Sequence, residues 1–141
     1  MSRSQTEKEH LLALLMQAYS LSELFDILKS VCHILPYSSI NTRSKHFRHF
    51  RFTLFGLMVK ATGLLERAEY NLDLLRNTMP ECEESYQELK RIAKETSLAY
   101  DFIRENKIEE GKEKIIEAAD EYAGVFRHIM RLKENLWLQK D

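Results

Sequence analysis

Chain breakers are scarce in this sequence: only four glycines and two prolines occur among 141 residues. Turns draw on residues that tolerate positive φ or fix φ in advance, so a chain this poor in them folds into few, long elements. Apolar residues make up 44% and charged residues 30%, which supplies one real core and excludes a disordered polymer. One domain over residues 1–141 is expected. Apolar residues recur at helical spacing throughout, with no strand-like alternation, no internal repeat and no low-complexity tract.

The spacing predicts an all-α fold, an antiparallel up-and-down bundle of four long helices. Ser4-x-x-Glu7 and Thr6-x-x-Glu9 read as capping boxes opening the first, whose apolar face runs through Leu11, Leu14, Leu15, Tyr19, Phe25, Leu28, Val31, Cys32 and Leu35. Ser20-Leu21-Ser22-Glu23 offers another box, so this stretch reads as one helix or as two broken near Ser20. The clearest loop runs from Pro36 to Thr42, and a second helix follows from near Thr42 to about Asn77. Thr78-Met79-Pro80-Glu81 marks a stop and restart, with Pro80 expected in the first turn of helix three. Helix three carries Tyr86, Leu89, Ile92, Ala93, Tyr100 and Ile103. Asn106 to Gly111 reads as a turn, although Glu110 and Lys114 support an early start for helix four. That helix aligns Ile115, Ala119, Tyr122, Phe126, Ile129 and Leu136.

Cys32 and Cys82 are too few for a disulfide framework and read as small core-filling thiols. The longest uninterrupted apolar run, Leu11 to Met16, falls far short of a bilayer span. Its flanks, Glu7-Lys8-Glu9-His10 and Gln17, do not suit a signal peptide. A cytoplasmic chain without membrane attachment is the expectation.

Charge is distributed unevenly. Between Asp26 and Glu66 no acidic residue occurs, while Lys29, Arg43, Lys45, Arg48, Arg51 and Lys60 give that window +6 in a chain of net −1. Polarity of this kind belongs to binding surfaces. At roughly 100° per residue, Phe47, Phe50, Leu54, Leu57, Met58, Ala61 and Leu65 share the core side of helix two. Lys45, Arg48, His49, Phe52, Gly56, Val59 and Gly63 share the opposite side. A helix N-terminus is already positive, so extra cations there are unfavourable by roughly 0.3–1 kcal/mol each. Arg43, Lys45, Arg48, His49 and Arg51 make sense if an anion completes the site. Sequence-independent contact with DNA or RNA phosphates is one such partner, and acidic side chains of a protein are the alternative. Phe52 is the one aromatic here placed to stack on a base.

Further along the same side, Phe52, Gly56, Val59 and Gly63 point to self-association, with Phe55 at the edge. A glycine inside a helix costs about 1 kcal/mol, and close approach of another helix, from the same chain or from a second copy, compensates it. No cofactor or metal is expected. Glu7-x-x-His10 occurs once, where a di-iron bundle needs two copies, and His46 and His49 sit among cations that repel a metal. No glycine-rich phosphate loop or zinc spacing occurs.

Two resemblances add to this reading. Arg43 and His49 are spaced like the Arg-to-His signature of the HEPN ribonucleases, which implies a histidine acid or base beside a phosphate-steadying arginine. The asparagine, aspartate or histidine that usually follows that arginine is replaced by Ser44. Between Leu35 and Arg131 the layout carries Leu35-Pro36 before a loop, then Arg51-Phe52-Thr53-Leu54 opening an apolar helix. Arg91-Ile92-Ala93-Lys94 and Glu121-Tyr122-Ala123-Gly124 follow in the last two helices. In these respects the chain resembles the four-helix-bundle family of the diversity-generating retroelement accessory variability determinant and the 23S rRNA intervening-sequence proteins. The resemblance implies a ring-forming bundle that binds nucleic acid and a protein partner and catalyses nothing.

Overall fold

Long helices leave little to connect, and the connections that are seen are short. The computed structural model of the chain describes residues 5–34 and 45–138, with side chains described at 5–34 and 48–134. Four helices occupy these segments: α1 (Gln5–Ile34), α2 (Lys45–Leu75), α3 (Cys82–Arg104) and α4 (Ile108–Leu138). Each packs on two neighbours, α1 on α2, α2 on α3, α3 on α4 and α4 on α1. Cross-helix pairs run in opposite directions along each interface, as Tyr122 with Ala18 and Lys29 with Asp120 do between α4 and α1. The result is the expected antiparallel four-helix bundle.

The core follows the apolar stripes. Leu11, Leu14, Leu21, Leu28, Leu54, Met58, Leu65, Leu72, Leu89, Ile92, Ile103, Val125 and Ile129 are all buried. Tyr122 fills the centre, its ring 5.1 Å from that of Phe25, and its hydroxyl donates to the Ala18 carbonyl at 2.7 Å. A phenol so placed gives up its proton far less readily than in water, because burial penalises the phenolate. Cys32 and Cys82 form no disulfide and are buried as expected. Burial pushes the Cys32 thiol up to about 12, with the nearby Lys112 ammonium opposing.

Several expectations shift. α1 is continuous through Ser20-Leu21-Ser22-Glu23, because Leu21, Leu24 and Phe25 insert into the core and outweigh the weak helix propensity of serine. Tyr19 is 48% exposed and covers Phe126 edge-on from outside the core. By length and composition α1 also passes for a membrane-crossing helix; Leu11, Leu14 and Leu15 are packed inside the bundle, while Leu12, Met16 and Ile27 are exposed on its outer side. α2 ends at Leu75, and Pro80 lies in the turn ahead of Glu81, the N-cap of α3. There its carbonyl accepts from Glu83 N at 3.1 Å.

The turn expected over Asn106–Gly111 is shorter. Asn106 takes the left-handed φ of 64°, and α4 begins at Ile108, as the Glu110–Lys114 spacing suggested. Gly111 therefore lies inside α4, where a Cβ would crowd Ile103 and approach the Ala99 carbonyl to 3.3 Å. Its role is close packing of α4 on α3. The Ser4 box, Leu35, the Pro36–Thr42 loop, Arg43 and the side chains of Lys45, His46, Phe47 and Leu136 lie outside the described residues.

Candidate functional site on the outer face of α2

α2 starts at the same end of the bundle as the C-terminus of α3 and the N-terminus of α4, and that arrangement sorts the basic window. Arg51 reaches inward. It donates from Nη1 to Asn106 Oδ1 at 2.9 Å and from Nη2 to the Arg104 carbonyl at 2.6 Å. Its guanidinium also lies 5.4 Å from the centre of the Phe55 ring. Arg104 is the last residue of α3, where carbonyls lack helical partners and the helix dipole is negative. The anion-like group that completes Arg51 is thus the end of a neighbouring helix. Lys29 is also engaged, 2.6 Å from Asp120 on α4. Lys60 lies with Glu23 and Arg67 along the groove between α1 and α2.

Arg48 and His49 remain. Both are exposed on the second turn of α2, whose first turn holds no acidic residue. Among the described residues neither has an ion-pair or hydrogen-bond partner. Arg48 and His49 stand beside one another, and Arg43 and Lys45 precede them in sequence.

The association residues also fall as the wheel places them. Phe52 is 78% exposed and Val59 61% exposed, on the side opposite buried Leu54, Met58, Ala61 and Leu65. A Cβ built on Gly56 or on Gly63 meets nothing within 4 Å. Among the described residues, no helix approaches these glycines. Phe55 instead turns toward α3, its ring 4.8 Å from that of Tyr100. Val59 and Gly63 form the ridge between two open grooves, one of about 630 Å³ toward α1 and one of about 450 Å³ toward α3.

The other singled-out residues have structural partners. Glu7 accepts from Thr78 Oγ1 at 3.2 Å, and His10 Nδ1 lies 3.1 Å from Asn71 Oδ1. Asn71 also donates to Gln17 Oε1 at 2.9 Å. This polar set ties α1 to the end of α2 and satisfies the buried amide of Asn71. Sequence reasoning did not find the one trio among the described residues whose ligand atoms converge, Glu95, Glu117 and Glu121, all within 4.8 Å of one another. Glu117 and Glu121 sit one turn apart on α4 and could have been noticed as like charges at i,i+4. Glu95 joins them only through the α3–α4 packing. Burial, reinforced by the charges of Glu121 and Glu117, raises the Glu95 carboxyl above the usual carboxylate range. Arg91 lies 3.5 Å from Glu121 and Lys114 3.3 Å from Glu117.

No family model matches the chain, and no curated protein or solved structure matches it either.

Proposed function

We propose that this chain is a non-catalytic helical bundle that works by binding, holding a nucleic-acid backbone at the start of α2 and associating with itself along the outer face of that helix. The observation carrying the reading is the exposed Arg48–His49 pair at a helix start with no acidic residue in its first turn. Cations there add to an already positive helix end, and an incoming phosphate relieves both. The contact set is Arg43, Lys45, Arg48 and His49. Arg51 is left out, because its guanidinium is occupied at the end of α3.

Contact through phosphates alone carries no sequence information. The resemblance of the sequence to the accessory variability determinant family supports the same reading. The test is fluorescence anisotropy of a labelled single strand and a labelled duplex at two salt concentrations. With about three phosphate contacts, single-strand affinity falls by about 20-fold between 50 and 200 mM salt. The Lys45→Glu/Arg48→Glu variant should lose binding while keeping its melting temperature. Absence of binding at low salt refutes the nucleic-acid reading and leaves acidic side chains of a protein as the partner of these cations.

A further inference from the structure

The exposed face of α2 has a repeat that its buried face does not explain. His49, Phe52, Gly56, Val59, Gly63 and Glu66 follow one another at steps of three, four, three, four and three residues. That is the spacing of a coiled-coil seam, and it runs along the side pointing away from the bundle. Its large apolar members are among the most exposed of the molecule, Phe52 at 78% and Val59 at 61%, with Tyr70 one step further on at 62%. Its glycines face open space. Knobs and holes are therefore both present, and no described element fills one with the other.

We infer that the seam is completed by α2 of a second copy, packed antiparallel about a two-fold axis passing between Gly56 and Val59. Self-complementarity fixes both the occupant and the register. If Val59 seats over Gly56 of the second copy, then moving four residues in opposite directions seats Phe52 over Gly63. Both knobs enter holes, and symmetry repeats each contact. No other antiparallel register places both side chains over glycines.

The same register pairs charges. Arg48 and Glu66 are eighteen residues apart, five full turns at ~3.6 residues each, so they lie on the same flank, the one toward α3 that Glu66 lines. Antiparallel two-fold packing joins like flanks, which sets Arg48 against Glu66 of the second copy at each end of the seam. Both side chains are exposed in the single chain. The other flank brings His49 beside Arg67, so the pairing depends on the knobs and on the Arg48–Glu66 contacts. Two helices meeting over this length bury on the order of 1,200 Å², the lower edge of stable interfaces, so the dimer is sought at micromolar and higher concentrations.

This inference deepens the self-association in the reading above and shares Arg48 with its phosphate contact, so a strand at Arg48 competes with Glu66 of the second copy. Sedimentation velocity of the full chain, without nucleic acid, across about 1 to 300 µM tests it. The 16.7 kDa species should convert to a dimer as concentration rises. Gly63→Leu, whose Cβ meets nothing within 4 Å in its own chain, fills the hole and should weaken the dimer at least tenfold. Arg48→Glu and Glu66→Arg should each weaken it, and the combined R48E/E66R variant should return within about threefold of the original. Far-UV circular dichroism of each variant checks that the helices persist. A monomer at every concentration overturns the seam. A dimer indifferent to Gly63→Leu, or a charge swap that fails to restore it, overturns the register. Loss of strand binding with the dimer intact counts against the nucleic-acid reading alone, and the reverse counts against this seam alone.

Discussion

One substitution made at three places separates the packed side of this bundle from its open side. Gly111 lies where α4 crosses α3. A Cβ there crowds Ile103, with its Cδ1 at 3.0 Å and the Ala99 carbonyl at 3.3 Å. Ile103 is fully buried and the carbonyl belongs to a helix, so neither retreats freely. With both neighbours resisting, overpacking here costs about 2–3 kcal/mol, the upper part of its usual range, and replacing glycine by alanine inside a helix offsets about 1 kcal/mol. The net for Gly111→Ala is a loss of about 1–2 kcal/mol, or about 3–6 °C in melting temperature for a chain of this size. At Gly56 and Gly63 the added Cβ meets nothing within 4 Å, leaving the propensity gain alone, about 1 kcal/mol and a rise of about 3 °C for each. Thermal denaturation followed by circular dichroism, in dilute solution where the chain is monomeric, reads all three. A Gly111→Ala protein melting at or above the original refutes the close α3–α4 approach. A Gly63→Ala protein melting several degrees lower refutes the open outer face of α2.

Other perturbations follow from single contacts. Arg51→Ala should destabilise the bundle by about 1–3 kcal/mol in urea titration, and Arg51→Lys should recover little, because one ammonium cannot make both forked contacts. Glu95 takes up its proton more readily folded than unfolded, so its contribution to stability is complete below the ordinary carboxyl range and is lost as pH rises through its raised folded value. Glu95→Gln should therefore raise stability near neutral pH and flatten the stability profile across the carboxyl range, as measured by melting temperature against pH. Tyr122→Phe removes the hydroxyl that reaches Ala18 and should cost about 1 kcal/mol. Both thiols are buried, so a thiol reagent should label Cys32 and Cys82 slowly in the native protein and at once in denaturant.

How much of this the sequence discloses depends on whether a feature lives on one helix or between two. The number and order of helices are legible because 3.6-residue periodicity and the shortage of breakers act locally. So is the division of α2, since Leu54, Met58 and Ala61 on one side and Phe52, Gly56 and Val59 on the other follow from angle alone. Ser20–Glu23 misleads because capping chemistry is local, whereas the continuity of α1 comes from Leu21, Leu24 and Phe25 gripping the other helices. Gly111 reads as a turn residue for the same reason. Its need for a missing side chain is set by Ile103, on another helix. The Glu95–Glu117–Glu121 trio and the fate of Arg51 are likewise invisible until α3 and α4 are packed.

That last point narrows the charge argument. A stretch of sequence without carboxylates is not a stretch of space without them, because an antiparallel bundle returns distant segments to the same end. Lys29 finds Asp120 on α4, Lys60 shares a groove with Glu23 on α1, and Arg51 finds the carbonyl end of α3. The contacts of Lys29 and Arg51 come from two different helices, so those cations are answered across the bundle and not along the sequence. Arg48 and His49 differ because they sit on the side of α2 that no other described element flanks. Phe52 and Val59 share that side, and among the described residues nothing covers them. The unanswered cations Arg48 and His49 and the exposed Phe52 and Val59 thus share one cause, that no described helix packs on the outer face of α2.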